Sequence, residues 1–206
     1  MQNKVLVVGA SGLVGTAAAI SFARAGWPVV AASRRYPQLL DDANIEFVAM
    51  DLQDKEACAE ICQKLTGITH VVYTAVYELP GLVDGWSNPN QIRTNAKMLE
   101  NLLAPLAHCN QLQHVTLLQG TKAYGAMVGP MRVPARESQT RVDHPNFYWL
   151  QEDFLRDHAK YHDYTFTILR PQMIVGPNHG VVMNLPPVVG VYAVSYTHLR
   201  AHETAD

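Results

Sequence analysis

Short apolar runs rich in Val, Ile, Leu and Ala alternate with helix-type stretches along most of the chain. Lys4–Val8 is β-branched and closed by Gly9, which predicts a strand rather than a piece of helix. Leu13–Ala25 is rich in Ala and other good helix formers and is stopped by Gly26, Trp27 and Pro28, which predicts a helix. The alternation repeats. Strands are expected over Val29–Ala32, Ile45–Ala49, Thr69–Thr74, His114–Leu118 and Thr165–Leu169. Helices are expected from a cap at Asp54 to about Leu65, over about Gln91–His108, and over about Phe147–Tyr161. Near-continuous apolar strands between helices belong to a parallel sheet covered on both faces, so the expected fold class is a doubly wound α/β layer. Such sheets bind ligands outside the carboxyl ends of their strands, which directs attention to the residues just after each strand.

Composition narrows the function classes. A chain of 206 residues, 48% hydrophobic and 17% charged, can bury the core of one domain or slightly more, which excludes a disordered, collagen-like or coiled-coil protein. A net charge of −2, a pI near 6.5 and scattered Lys and Arg offer phosphate backbones no broad basic face, so no nucleic-acid partner is expected. No apolar run reaches the ~18 residues a membrane span needs, and Met1–Lys4 leads into a run too brief for a secretory signal. A cytoplasmic protein with a small-molecule substrate and no membrane contact is the expectation, and a homodimer is compatible with it. Cys58, Cys62 and Cys109 form an odd, scattered set that reads as reduced, packed thiols rather than a disulfide frame.

The far end of the chain breaks the pattern. Val194–Thr204 carries an abrupt excess of His, Arg and Thr without periodicity, and its string reads as the translation of a transposon-type sequencing adapter. Residues 194–206 are therefore expected to be a non-native tail, with the natural chain continuing past Ala193 and its substrate-binding part truncated. Without Arg200, Glu203 and Asp206 the net charge becomes −1. Residues 171–193, with Pro171, Pro177, Pro186 and Pro187, read as irregular, cleft-lining chain at the start of a substrate-binding region.

Gly9-Ala-Ser-Gly12-Leu-Val-Gly15 lies between the first predicted strand and the first helix. There the helix N-terminus offers unpaired N–H groups and its positive dipole end to a pyrophosphate. Gly9 would turn the chain, Gly12 would let backbone approach the phosphates, and Gly15 would let the helix lie against the sheet. In this context the motif marks residues 1–170 as a Rossmann-type dinucleotide-binding domain, with Ser11, Leu13 and Val14 completing the loop. A site for NAD calls for a carboxylate after the second strand, about 20 residues beyond the glycines. This chain has Ser33, Arg34 and Arg35 there, two guanidiniums and a hydroxyl suited to a 2′-phosphate, so NADPH is the expected cofactor. A solvated basic turn is the alternative. Asp51 and Leu52 would meet the adenine, or Asp51 caps the next turn; Thr74, Ala75 and Val76 would flank the cofactor, or simply end a strand.

The glycine fingerprint, Leu118-Gln-Gly-Thr-Lys122-Ala-Tyr-Gly125, Asn146-Phe-Tyr148-Trp, Glu152-Asp153 and Leu169-Arg-Pro171 together resemble the extended short-chain dehydrogenase/reductases. Within them the chain is similar to the progesterone 5-beta-reductase and iridoid synthase-like enone reductases, over residues 4–193. Most short-chain reductases pair the active tyrosine with a lysine four residues on; here that residue is Glu152, and the usual serine after the fifth strand is replaced by Gly120. The resemblance moves the lysine to Lys122 and makes Tyr148 and Lys122 the catalytic pair, with Gln119 and Tyr148 also beside the cofactor. It implies conjugate reduction. Hydride from NADPH goes to the β-carbon of an α,β-unsaturated carbonyl, the Tyr148 hydroxyl stabilises the enolate oxygen, and Lys122 adds electrostatic support.

Two other functions are carried alongside. One is a carbonyl reductase or an NAD-dependent epimerase/dehydratase-like enzyme. The other is an NADP(H)-sensing regulator without turnover, to which the missing Tyr-x-x-x-Lys pairing lends weight. His158 and His162, four residues apart on a predicted helix, suggest no third ligand, and no metal is expected. Tyr124 would border the substrate or simply pack, and Asn178 and His179 would line the cleft or form an exposed turn.

Overall fold

The computed structural model describes residues 3–37, 40, 45–80, 84–139, 141–178 and 184–203. Six strands, β1 (Val5–Val8), β2 (Val29–Ser33), β3 (Ile45–Ala49), β4 (His70–Tyr73), β5 (His114–Leu118) and β6 (Thr165–Leu169), form one sheet in the order β3-β2-β1-β4-β5-β6. Every pairing is parallel. The strand order reverses at β1, which pairs with both β2 and β4, so the cleft expected of this topology opens at the carboxyl ends of β1 and β4.

Alternate strand residues feed two cores. Val5, Val7, Val29 and Ala31 pack on one face with Ala19 and Ala23 of α1 (Leu13–Arg24). Leu6, Val8, Val30 and Ala32 pack on the other with the helices α2 (Lys55–Lys64), α3 (Pro89–Cys109) and α4 (Phe147–His162). Cys58 and Cys62 are fully buried in that second core, and burial pushes their thiols up to about 11 and about 12, so they behave as small hydrophobes. Thr165, Thr167 and Leu169 of β6 are exposed, so that end of the sheet is less covered than its centre.

Helix starts follow side-chain chemistry. Asp54 accepts from the Ala57 N–H at 2.9 Å and opens α2. Asn88 caps α3, which begins at Pro89, earlier than the expected Gln91, because proline is tolerated in a first turn whose N–H groups are unpaired in any case. The same reasoning corrects the reading of residues 171–193 as irregular throughout. Residues 171–178 are irregular, but α5 (Leu185–Glu203) begins with Pro186 and Pro187 in its first turn and crosses the expected boundary at Ala193. Every residue of α5 from Leu185 to Thr197 is exposed, so the helix buries none of those side chains. Among the described residues no helix is long and apolar enough to cross a membrane.

His158 and His162 stack 4.1 Å apart near the end of α4, and the His158 Nδ1 lies 2.8 Å from the Tyr164 hydroxyl. Burial, with His162 and His108 nearby, lowers the His158 pKa to about 4. Its folded value lies below its unfolded one, so the unfolded chain takes up a proton first as pH falls. The stability His158 contributes is therefore present above about pH 6.5 and lost towards pH 4. Thermal melts should show the melting temperature falling across that window, the underlying loss of stability being less than the limiting ~1.4 kcal/mol per pH unit because the ring is partly solvated. The fall should flatten in His158→Gln; an unchanged slope in that variant would assign the loss to other groups.

Candidate active site

At the carboxyl end of β1 the chain turns through Gly9 at φ +84°, in the left-handed region that favours glycine. A Cβ there would stand 2.7 Å from both the Ala75 nitrogen and the Thr74 Oγ1. Thr74 fits into this gap, its hydroxyl donating to the Val8 carbonyl at 2.8 Å, so the ends of β1 and β4 are locked together. A Cβ on Gly15 would stand 2.7 Å from the Gly9 carbonyl carbon and 2.9 Å from the Ala10 Cα, which shows how closely α1 approaches the turn. α1 starts at Leu13 with Gly12 as its cap residue and no side chain satisfying its first N–H groups. Thr16 binds inward instead, donating to the Ala10 carbonyl at 2.7 Å. Leu13, Val14 and Gly15 thus form an uncapped first turn, a ready anion cradle.

A cleft opens from this turn, lined by Gly9, Ser11, Gly12, Ser33, Arg34, Asp51, Leu52, Thr74, Ala75 and Val76 among others. These are residues the sequence singled out, contributed by the ends of β1, β2, β3 and β4. Arg35 is exposed and outside that lining. Ser33 donates its hydroxyl to the Arg35 carbonyl at 2.7 Å, so this hydroxyl shapes the basic turn. Asp51 accepts from the Gln53 N–H at 3.0 Å, a local turn bond that leaves its other oxygen to the cleft. Met50, Tyr77 and Met98 also line the cleft and were not foreseen. Tyr77 is held by a reciprocal pair with the fully buried Asn95, whose Oδ1 accepts from the Tyr77 N–H at 2.8 Å and whose Nδ2 donates to its carbonyl at 2.7 Å.

The second group of residues gathers at the ends of β5 and β6. Asn146 caps α4 by accepting from the Tyr148 N–H at 3.0 Å, and its Nδ2 donates to the Lys122 carbonyl at 2.9 Å. One side chain therefore ties the Lys122 loop to the start of the Tyr148 helix. Trp86, buried and from a short 3₁₀ turn (Asp84–Ser87), stands between them: the Lys122 Nζ lies 3.3 Å from its ring centroid, and its ring meets the Tyr148 ring edge-on at 5.3 Å. Sequence reasoning missed Trp86, because its only signal was a lone tryptophan in a polar stretch.

Electrostatics differ from the simple expectation of a lysine acidifying a tyrosine. Burial, with the charge of Glu78 second, pushes the Tyr148 phenol above its ordinary value. Desolvation lowers the Lys122 pKa, with Glu78 partly opposing. Tyr148 is thus a protonated hydroxyl, and among the described residues that hydroxyl has no hydrogen-bond partner. A Cβ on Gly120 would lie 3.6 Å from it, an ordinary contact, so the glycine leaves unfilled the place where most short-chain reductases carry serine. Gln119 is buried and donates its Nε2 to the Tyr148 carbonyl at 2.8 Å, acting on the backbone behind the site. Tyr124 stacks on Arg170 at 4.9 Å, and Asn178 reaches Thr16 at 3.4 Å; His179 lies outside the described residues.

A glycine turn before an uncapped helix, at the reversal point of a parallel sheet, with a tyrosine and a lysine gathered at the neighbouring strand ends, defines a Rossmann-fold protein of the short-chain dehydrogenase/reductase type. The chain belongs to the NAD dependent epimerase/dehydratase family, whose model matches residues 5–189. It is 30% identical over 210 residues to the (S)-8-oxocitronellyl enol synthase of Catharanthus roseus, covering 96% of this chain and 52% of that protein. It is also 30% identical over 217 residues to the 3-oxo-Delta(4,5)-steroid 5-beta-reductase of Arabidopsis thaliana, covering 96% and 53% respectively. The chain therefore spans about half the length of these relatives. Among solved structures, a UDP-glucose 4-epimerase from Brucella ovis in complex with NAD shares the fold at a TM-score of 0.70 and 23% identity, covering 86% of this chain and 54% of that one. The Bordetella bronchiseptica enzyme WbmH, in complex with NAD+, matches at a TM-score of 0.69 and 23% identity, covering 87% and 59%.

Proposed function

We propose that this chain is the nucleotide-binding part of an NADPH-dependent oxidoreductase that reduces the C=C bond of an α,β-unsaturated carbonyl compound. The observation that carries the reading is the Tyr148 hydroxyl: protonated, without a hydrogen-bond partner among the described residues, and facing the gap at Gly120. The activities named for the enol synthase and the 5-beta-reductase point the same way.

The residues present fit the cofactor. The spaces at Gly9 and Gly15 that a Cβ would fill, with Gly12 and the first turn of α1, suit a pyrophosphate. Arg34 at the cleft, with Ser33 and Arg35 in the same turn, suits a 2′-phosphate. Asp51 and Leu52 would border the adenine, and Thr74, Ala75 and Val76 the rest of the cofactor; Gln119, expected beside the cofactor, is instead buried outside the cleft lining with both ends of its amide engaged. When bound, NADPH supplies hydride to the β-carbon of the substrate. The Tyr148 hydroxyl donates a hydrogen bond to the carbonyl oxygen, which strengthens as that oxygen gains enolate charge. Lys122, kept close by Trp86 and poorly solvated, adds positive potential, and the α-carbon takes its proton from water. No role is assigned to residues 194–206.

Two measurements test this. Incubation of the full-length protein, with its substrate-binding part present, with NADPH and a panel of small enals and enones should consume the cofactor and yield a product that has lost its C=C bond. A product that keeps the C=C bond would favour carbonyl reduction, turnover of a nucleotide-sugar would favour an epimerase, and tight binding without any turnover would favour nucleotide sensing. Cofactor titration should show NADPH preferred over NADH. Arg34→Ala should reduce that preference by about 10- to 100-fold, the worth of one charge-assisted contact at ~1.5–3 kcal/mol. Equal affinities for the two dinucleotides in the unmodified chain would refute the 2′-phosphate assignment.

A further inference from the structure

Glu152 occupies the position one helical turn beyond Tyr148, and its side chain is only 7% exposed. A buried carboxylate without partners is strongly disfavoured, and this one is met by three guanidiniums. Arg156 from the same helix approaches at 2.9 Å and is 53% exposed; Arg141 approaches at 3.5 Å and also pairs with Asp153 at 2.8 Å. Arg170, which follows β6 directly, makes the shortest contact, 2.6 Å, and is only 17% exposed.

Arg170 differs from the other two in what else it holds. Its Nε donates to the Gln119 Oε1 at 3.1 Å. Because a guanidinium can only donate, Gln119 must turn its oxygen towards Arg170 and its NH₂ towards the Tyr148 carbonyl, which accepts at 2.8 Å. The Gln119 N–H donates to the Leu169 carbonyl at 2.8 Å, tying the ends of β5 and β6 beneath this chain of contacts. Glu152, Arg170, Gln119 and the Tyr148 carbonyl thus close a ring that starts and finishes on α4. Arg156 and Arg141 lie outside the ring.

We infer that Arg170, anchored by Glu152, is a positioning residue for Tyr148: through Gln119 it sets where the first turn of α4, and with it the tyrosine hydroxyl, sits relative to the ends of β5 and β6. The carboxylate at the Tyr-plus-four position is thereby a built part of the site. The inference rests on the reading of Tyr148 as the group that binds the substrate oxygen. The planar fork of arginine is essential, since a lysine carries the charge without the geometry that serves Glu152 and Gln119 together.

The test uses the full chain with tyrosine isotopically labelled at Cζ, the Tyr148 resonance being identified by its loss in Tyr148→Phe. Arg170→Met should shift that resonance and change the pH at which the phenol ionises, and Arg170→Lys should do so to a smaller degree. Arg156→Met, which removes a partner of Glu152 outside the ring, should leave both unchanged. With an enone substrate, Arg170→Met should lower kcat by about 10- to 100-fold, the cost of displacing a reacting group by ~1 Å, with little change in KM for NADPH. If Arg170→Met fails to fold, Arg170→Lys against Arg156→Met decides the matter. An unmoved Tyr148 resonance in the Arg170 variants, or an equal shift in Arg156→Met, overturns the inference. The resonance is read without turnover, so failure of the full-length protein to reduce any enone refutes the functional reading and leaves this result standing.

Discussion

Tyr148→Phe is expected to lower kcat for enone reduction by about 10²- to 10³-fold, the usual consequence of removing one donor from a developing oxyanion. NADPH should still bind, because the glycine turn, Arg34 and the remaining cleft lining are untouched. The size of the effect follows from the surroundings of the hydroxyl. Burial and the Glu78 charge raise the phenol pKa, so under the proposed mechanism it would act as a hydrogen-bond donor and not as a base. Phe147 and Trp86 pack against the Tyr148 ring at 4.7 and 5.3 Å, so phenylalanine keeps these contacts and the fold should be undisturbed. Cofactor absorbance followed with saturating NADPH gives kcat, and a separate titration gives the binding constant. Full activity in Tyr148→Phe would transfer the oxyanion role to another group, and Lys122 would be the next to test.

Gly15→Ala is the second substitution with a large expected effect, and it acts on stability and binding together. The added methyl would stand 2.7 Å from the Gly9 carbonyl carbon, a distance that real side chains do not adopt. Either α1 moves away from the turn or the turn opens, at a cost of roughly 1–3 kcal/mol for overpacking. In a chain of this size each kcal/mol lowers the melting temperature by about 2–4 °C. The displaced turn should also weaken NADPH binding by at least about tenfold, since its N–H groups no longer converge. Gly12→Ala separates the two effects. There the methyl would sit 3.3 Å from the Gly9 carbonyl oxygen, so a small adjustment suffices and the melting temperature should nearly match the parent. Its binding should still fall, because the methyl occupies the approach to the pyrophosphate. A wild-type melting temperature in Gly15→Ala would show that the helix is held less closely than this geometry requires.

Much of the chain was legible residue by residue. The six strands lie within a residue of where the apolar runs place them, because a fully buried parallel strand must be apolar on both faces, as in Val5–Val8 and Val29–Ser33. Gly9 and Asp54 could be read locally, since a left-handed turn and an N-cap depend on neighbours a few residues away. Pro186 and Pro187 were read as breakers, and the helix they begin shows that the sequence signal for proline depends on whether it stands in a first turn or an interior one.

The sequence alone determined the α/β layer, the glycine turn and the basic turn after β2, which rest on short-range pattern, whereas the candidate pair Tyr148 and Lys122 came from the resemblance to the enone reductases. Tertiary structure decided that Trp86 stands between that pair and that Asn146 joins them. It also decided that Glu152, at the place of the usual lysine, is neutralised by Arg170 and linked through Gln119 to Tyr148. These contacts join β5, β6 and α4 only because the strand order brings their ends together. No periodicity along the chain encodes which polar side chain will meet which across such a gap.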